Sequence, residues 1–181
     1  MKILMHMCCA PCAVYPSKKL LENKNEVFGL FFNPNIHPIE EYQKRRTTLE
    51  QFSKQSDIPV EFIDGFMQSE WETFKGTTEE RCQMCYSLRL QLAAKYALDN
   101  GFDSYTTSLL VSPYQNHDLI KSLGEKIGNQ VGIPFYYEDF RTGYRQGQQE
   151  AKDLGLYRQK YCGCIVSYNE TILQKFSKKA Q

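Results

Sequence analysis

Alternation between short apolar runs and amphipathic stretches constrains the fold of this chain more than any other feature. Segments rich in Val, Ile, Leu, Phe and Tyr predict buried strands at 2–7, 26–32, 60–63, 105–111 and 134–137. Helices are predicted after or between them, at 15–22, 39–52, 69–74, 79–98, 115–131, 143–154 and 159–178. This alternation favours an α/β fold: a parallel sheet with helices on both faces, as a three-layer α/β/α sandwich.

Length and charge narrow the class of protein. The 181 residues are enough to bury a full core, and we predict one domain over 1–181. Lys+Arg is 22 and Asp+Glu is 21, a net charge of +1 that does not indicate bulk electrostatic capture of nucleic acid. No apolar run approaches the roughly 20 residues of a membrane span, and the N-terminal one is too short for a signal peptide. We therefore expect a cytoplasmic protein that does not associate with membranes.

The seven cysteines are grouped along the chain. In a cytoplasmic protein, clustered cysteines indicate metal or redox chemistry more than structural disulfides. Within the first two groups consecutive cysteines lie at most three residues apart, and in the third a single residue separates the two cysteines. The groups are Cys8, Cys9 and Cys12; Cys82 and Cys85; and Cys162 and Cys164.

The first two groups together offer a metal site. Cys82 and Cys85 lie three residues apart near the start of a predicted helix, so both thiols project from one face. The helix N-terminus and Arg81 favour their thiolate forms. Four thiolates satisfy a [4Fe–4S] cluster or a tetrahedral zinc ion, and spacing does not separate these two. Since the two groups hold five thiols, one is spare, and Cys12 after Pro11 is our candidate.

The third group, Cys162-Gly163-Cys164, has the spacing of a redox-active pair. A disulfide across one residue closes a small strained ring, and strained disulfides are labile. Gly163 gives the backbone the freedom to close it. This pair could therefore pass electrons to a nearby metal cluster.

Polar residues follow several of the predicted strands. Cys8-Cys9 follows the first strand, 33–35 the second and 112–114 the fourth, so all should meet at one edge of the sheet. His6 lies within an apolar strand and is predicted to be a hydrogen-bonded core group. His37 and His117 lie beside loops and are better candidates for substrate contact or proton transfer.

Four blocks of sequence together resemble the epoxyqueuosine reductase family of the QueH type. They occur in order and span essentially the whole chain. The blocks are His6-Met7-Cys8-Cys9-Ala10-Pro11-Cys12, Arg81-Cys82-Gln83-Met84-Cys85-Tyr86-Ser87-Leu88-Arg89-Leu90, Ser112-Pro113-Tyr114-Gln115-Asn116-His117 and Tyr161-Cys162-Gly163-Cys164.

The resemblance implies a specific reaction. Members remove the epoxide oxygen of epoxyqueuosine at the anticodon wobble position of queuosine-family tRNA, with a [4Fe–4S] cluster and without cobalamin. A separate electron donor, which the sequence does not identify, must supply the electrons. The resemblance also implies a fold of the adenine-nucleotide α-hydrolase (HUP) type. Because the glycines of that fold's phosphate loop are missing here, we do not expect nucleotide binding.

The resemblance also assigns roles to the cysteines. It implies that Cys162 and Cys164 form a redox-active disulfide. Cys12 matches a position that is Asp or Cys in relatives, next to which the family can hold an additional iron. The implied ligands of the [4Fe–4S] cluster are Cys8, Cys9, Cys82 and Cys85.

A tRNA substrate calls for basic and aromatic side chains around the site. Gln115 and Asn116 can contact base edges or can simply start a helix, and Asp118 is a third candidate proton donor beside His117 and Tyr114. The aromatic candidates for stacking are Tyr114, Tyr144 and Tyr157. The basic candidates are Lys44, Arg45, Arg46, Arg141, Arg145, Arg158 and Lys160, of which Arg141 and Arg145 are predicted substrate contacts.

Two other functions each account for part of the pattern. A tRNA sulfur-transfer enzyme or ATP-pyrophosphatase would need a glycine-rich phosphate loop, which the sequence lacks. A zinc-binding module that recognises nucleic acid would use the first two cysteine groups but leaves Cys162 and Cys164 without a role.

Overall fold

A parallel sheet of four strands forms the centre of the fold in the computed structural model, which describes residues 1–179. The strands are β1 (Lys2–His6), β2 (Glu26–Phe31), β3 (Val60–Phe62) and β4 (Ser104–Thr107), in the order β3-β2-β1-β4. Leu4 of β1 pairs with Phe28 of β2 on one side and with Tyr105 of β4 on the other. All pairings are parallel, as predicted, and the last four residues of β1 are buried.

Helices follow the strands and cover the sheet. α1 contacts α2 and α6, whereas α4 contacts α5 and the strands β1 and β4. Right-handed crossovers account for this division, because the chain steps from β1 to β2 to β3 in one direction and then returns to β4. The predicted α/β class with a parallel sheet is confirmed. The helices are α1 (Ala10–Glu22), α2 (Ile39–Ser56), α3 (Gln68–Glu72), α4 (Thr78–Asp99), α5 (His117–Val131), α6 (Tyr144–Asp153) and α7 (Ile165–Lys179).

Two predicted strands are wrong in extent. β4 ends at Thr107, and Ser108–Val111 forms a 3₁₀ turn because the Thr107 hydroxyl accepts the N–H of Leu109. The fifth strand is reduced to a single bridge between Tyr105 and Phe135.

Two helix starts differ from prediction by five residues or more. α1 begins at Ala10, five residues early, because Pro11 is tolerated in the first turn of a helix. α7 begins at Ile165, because Gly163 has a φ of +138° that no helix accommodates. Residues 159–164 are therefore a loop.

The core has one large cluster on the sheet and a small satellite. The large cluster includes Ile3, Met5, Leu30 and Phe31, all fully buried. The satellite joins Trp71, Cys85, Cys164 and Ile165 where α3, α4 and α7 meet. It therefore fixes one cysteine of the second group and one of the third within a single apolar patch. Among residues 1–179, no helix combines the length and the hydrophobicity needed to cross a bilayer.

Candidate metal and redox site

A cavity of about 580 Å³ opens at the edge of the sheet where the strands end. It is lined by loops that follow β1, β2 and β4, as predicted from the sequence. All three cysteine groups contribute to its wall. The residues that line it include Cys8, Cys12, Arg45, Arg81, Cys82, Tyr86, Arg89, Tyr114, Gln115, Tyr144, Gln159, Lys160, Tyr161, Cys162, Cys164 and Ser167.

The first group forms a compact set of thiols at the N-terminus of α1. The sulfur atoms of Cys8, Cys9 and Cys12 all lie within 4.8 Å of one another, and the Cys8 and Cys9 sulfurs are 3.8 Å apart. Ser108, just after β4, accepts the N–H of Cys8 at 3.0 Å and lies 3.4 Å from its sulfur. Three thiols this close can coordinate metal, and Cys12 is placed as favourably as the other two.

The thiols of this group share protons unequally. Hydrogen bonds from Cys12 and Cys9 hold the pKa of Cys8 well below its usual range, with the Ser108 hydroxyl assisting. Burial raises the pKa of Cys9, and the bond to Cys8 raises that of Cys12. The hydrogen bonds within the group therefore favour negative charge on Cys8 over Cys9 and Cys12, and the N-terminus of α1 favours it too.

The second group sits on the first two turns of α4, after a capping box formed by Thr77 and Glu80. Cys85 is buried and Cys82 is half-buried. Burial raises the pKa of Cys85 to about 12, and Arg89 opposes this shift. Arg89 donates to the sulfur of Cys85 at 3.1 Å and to its carbonyl at 3.0 Å.

Arg89 is the most informative charge in the cavity wall. Its side chain is buried, with 3% of its surface exposed. Among residues 1–179, no carboxylate lies within 4 Å of its guanidinium. Burial of a cation without a carboxylate is unfavourable and lowers the pKa of Arg89, but the nearby sulfurs of Cys85, Cys8 and Cys162 raise it. The site is therefore built for a negatively charged thiolate centre.

The third group lies in the loop before α7. Cys162 is exposed to the cavity, Cys164 is buried, and both are free thiols. Arg45 of α2 donates to the carbonyls of Tyr161 and Cys162, both at 3.0 Å. Its Nε donates to Glu41 at 2.8 Å in a buried ion pair. The prediction that Arg45 lies on a surface approached by tRNA is wrong, because α2 turns it inward.

Gln115 links the third group to α4. Tyr86 donates to the Gln115 Oε1 at 2.7 Å, which leaves the amide nitrogen to face Cys162 Sγ at 3.6 Å. Gln159 plays a similar part beside the first group, since its amide nitrogen lies 3.4 Å from Cys12 Sγ. Asn116 caps α5 by accepting the N–H of Leu119, and so starts a helix.

The cavity mouth carries an aromatic pair. Tyr114 is 82% exposed and meets Tyr144 edge-on, with ring centroids 5.9 Å apart and an interplanar angle of 83°. Such an exposed aromatic surface can stack on an unpaired base. Tyr157 lies elsewhere, where it donates to Glu41.

The histidines are all structural in their contacts. His6 is fully buried, donating from Nε2 to Phe32 and Asn33, and burial lowers its pKa to about 4, as expected for a core group. His37 donates from Nε2 to the Pro34 carbonyl and accepts the N–H of Ile165 at Nδ1. Both nitrogens of His37 are thus occupied, so its predicted role in substrate contact is wrong.

His117 is buried beside Tyr137 and does not line the cavity. Burial, with Arg141 nearby, lowers its pKa. Arg141 is bound by both oxygens of Asp139, at 2.8 and 2.6 Å. Neither Arg141 nor Arg145 belongs to the cavity wall, whereas the basic residues Arg81 and Lys160 do.

The sequence analysis named Arg45 only as a candidate contact for tRNA, and gave Arg89 and Tyr86 no role in the site. For Arg45 a signal existed: Glu41 and Arg45 are spaced as an i,i+4 pair on the stripe that also carries Phe52. Arg89 lay inside the second motif but its burial could not be inferred from spacing.

A parallel α/β protein whose sheet edge gathers three groups of thiols around buried cations has a site suited to metal binding or thiol redox chemistry. Comparison with known families is more specific. The family model described as "Epoxyqueuosine reductase QueH" matches residues 3–170. The chain belongs to this family of oxidoreductases.

Full-length relatives support the assignment. The chain is 33% identical to the epoxyqueuosine reductase QueH of Dehalococcoides mccartyi over 170 residues, covering 93% of each chain. It is also 33% identical to the Thermotoga maritima protein of the same name, covering 93% of this chain and 91% of that one. Among solved structures, the U34-tRNA thiolase NcsA from Methanococcus maripaludis with its [4Fe-4S] cluster aligns with a TM-score of 0.47 and 10% identity, over 84% of this chain and 67% of that chain.

Proposed function

We propose that this protein reduces epoxyqueuosine in tRNA to queuosine at a [4Fe–4S] centre, with Cys162 and Cys164 as a redox-active pair. The observation that carries the proposal is the convergence of all three cysteine groups on one cavity beside the buried cation Arg89. The reaction as proposed needs no cobalamin.

The donor set fits an iron–sulfur centre. Cys8, Cys9, Cys82 and Cys85 are the proposed ligands, and these four lie on two helix N-terminal segments that face the same cavity. When bound, such a cluster transfers single electrons. Arg89 offsets part of the negative charge of the centre, and within the described residues no carboxylate competes for its guanidinium. Cys12, whose sulfur lies within 4.8 Å of the sulfurs of Cys8 and Cys9, is the proposed ligand of an additional iron.

The Cys162–Cys164 pair can supply the electrons and protons that the reaction consumes. Converting an epoxide to an alkene breaks two C–O bonds and releases the oxygen as water, consuming two electrons and two protons. Oxidation of one dithiol to a disulfide supplies both electrons and both protons. An external reductant, not identified, then restores the dithiol. Cys162 faces the cavity beside the Gln115 amide, which is where a substrate would meet it.

The cavity mouth supports recognition of a tRNA base. We propose that an extruded wobble base stacks on Tyr114 and Tyr144, while Gln115 and Asn116 lie beside it. Arg81 and Lys160 supply cationic contacts for the phosphate backbone, with Arg141 and Arg145 as outlying contacts. Tyr114 is the best-placed of the three predicted proton donors, since His117 and Asp118 lie outside the cavity wall. A tRNA substrate implies that the enzyme works in the cytoplasm.

The test is reduction of epoxyqueuosine-containing tRNA by anaerobically purified protein with dithionite, read as nucleosides by mass spectrometry. Wild type should form a nucleoside one oxygen atom lighter over many turnovers. C162S/C164S should keep the iron and sulfide content but lose multiple turnover. Ser167→Ala, a cavity substitution that keeps the backbone contact to Cys164, is the matched control. Failure of wild type to react would refute the function, and unchanged turnover in the double variant would remove the redox role of the pair.

A further inference from the structure

We propose that Arg45, held in place by Glu41, is a positioning residue that stabilises the dithiol form of the Cys162–Cys164 pair. The inference deepens the proposed function and rests on the redox role of that pair. It concerns an arginine on α2, more than 110 residues away in sequence from the loop it holds, as the separations of 116 and 117 between bonded residues record.

The three bonds of Arg45 bring α2 and the loop together at one planar group. Nε donates to Glu41 Oε1 at 2.8 Å, Nη1 to the Cys162 carbonyl at 3.0 Å and Nη2 to the Tyr161 carbonyl at 3.0 Å. The other oxygen of Glu41 accepts the hydroxyl of Tyr157 at 2.8 Å. A guanidinium has the fixed fork geometry that this arrangement uses, and lysine does not.

Arg45 is the donor on which these two carbonyls depend. Among the described residues, no backbone N–H donates to the carbonyl of Tyr161 or of Cys162. Arg45 is 2% exposed and its partner Glu41 is 7% exposed, so the pair is removed from water. A buried ion pair contributes little net stability compared with apolar packing. We therefore attribute the burial of the Arg45–Glu41 pair to the loop conformation that Arg45 fixes, and not to a gain in stability.

That conformation is the one with both thiols free. Gly163, between the two cysteines, has a φ of +138°, and a Cβ placed there would lie 3.2 Å from Arg45 Nη1. Its carbonyl accepts the N–H of His37 at 2.8 Å. Arg45 and His37 thus fix successive peptide groups of the loop. A disulfide across one residue needs a strained backbone between its cysteines, and the bonds from Arg45 hold this backbone in the conformation with free thiols, so we infer that Arg45 favours the dithiol.

The direct test is the thiol–disulfide equilibrium of the pair in glutathione buffers. The protein dithiol reacts with glutathione disulfide to give the protein disulfide and two glutathione thiols, so electrons and protons balance. The iron-loaded protein is equilibrated in each buffer, quenched with acid, alkylated and digested with trypsin. The fraction of the Cys162–Cys164 pair present as disulfide is then measured by mass spectrometry. The expected tryptic peptide 161–175 contains Cys162 and Cys164 and no other cysteine.

Arg45→Lys keeps the positive charge but loses the planar set of N–H donors that bonds Glu41 and both carbonyls. We expect its equilibrium constant for disulfide formation to rise at least tenfold, the scale of one charge-assisted hydrogen bond, which corresponds to a potential about 30 mV lower. E41Q/R45M removes both charges and provides a second variant if the lysine disturbs folding. The control is Arg46→Gln, the next residue of α2, which pairs with Glu50 on the surface. The equilibrium constant for disulfide formation in R46Q should equal that of wild type.

The outcomes separate the two proposals. An unchanged or lower constant in the folded variants, as judged by thermal unfolding and iron content, contradicts the role of Arg45 alone. If the wild-type pair forms no disulfide at any glutathione ratio, the proposed redox role of Cys162 and Cys164 fails, and this inference with it. A rise in both variants with none in R46Q supports the assignment.

Discussion

Replacing Arg89 with methionine should have opposite effects on the metal-free and the iron-loaded protein. In the metal-free protein Cys85, 3.1 Å from the guanidinium, is protonated at neutral pH because burial raises its pKa to about 12. Arg89 is then a buried cation without a carboxylate within the described residues. Replacing such a group with an apolar side chain of similar volume is expected to be neutral or to stabilise the fold by about 1–4 kcal/mol.

In the iron-loaded protein the substitution R89M should destabilise instead, because Cys85 is then a thiolate that Arg89 stabilises. Opposite unit charges 3.1 Å apart attract by about 5 kcal/mol at an effective dielectric constant of about 20. Desolvation offsets much of this attraction and leaves about 1.5–3 kcal/mol, typical of a charge-assisted hydrogen bond. R89M should therefore release iron to a chelator with an apparent affinity about tenfold to a hundredfold weaker than that of wild type.

The assay combines chelator competition with thermal unfolding of the metal-free and loaded forms. Lys95→Met is the matched control, because Lys95 lies on the same helix but pairs with Asp99 in solvent. K95M should leave the apparent iron affinity and the thermal stability of both forms near the wild-type values. Two results would contradict this role of Arg89: R89M holding iron as tightly as wild type, or R89M lowering the free energy of unfolding of the metal-free protein by more than about 2 kcal/mol.

Two further predictions concern the cavity mouth and the packing that supports it. Tyr114→Ala should weaken binding of the tRNA by about 1–3 kcal/mol, while Tyr114→Phe, which keeps the stacking surface, should bind like wild type in a filter-binding titration; equal binding by Y114A would exclude stacking. Gly143→Ala should destabilise the fold by about 1–3 kcal/mol in urea, because its Cβ would lie 2.1 Å from ring atoms of Tyr15. The exposed neighbour substitution Thr142→Ala should change stability by less than about 0.5 kcal/mol, and equal stability of both variants would contradict the packing argument.

The fold was predictable where hydrophobic periodicity acted alone. The parallel sheet and most helices follow from the alternation of apolar runs, and the edge at which the cysteines meet follows from strand direction. The prediction failed at segments 105–111 and 134–137, where apolar composition favours a strand but specific bonds decide otherwise. In the first, the Thr107 hydroxyl caps a 3₁₀ turn; in the second, pairing stops after the bridge between Tyr105 and Phe135.

The site was predictable as a set of cysteines and not as an electrostatic environment. Spacing selected the thiols because metal chemistry requires particular residue types. It could not show that Arg45 and Arg89 lie inside the protein, since arginine on a helix is usually solvated. It also placed His37 and His117 in reactive roles, whereas tertiary contacts occupy the first and bury the second away from the cavity.

The most direct test of the account is the iron, sulfide and zinc content of anaerobically purified protein, with absorbance and EPR spectra before and after dithionite. We predict a brown protein with about four iron and four sulfide per chain and a reducible cluster signal. Iron beyond four would indicate the additional ion assigned to Cys12. Stoichiometric zinc without sulfide, in protein produced with ample iron and without oxygen, would contradict the iron–sulfur centre and the reduction built on it.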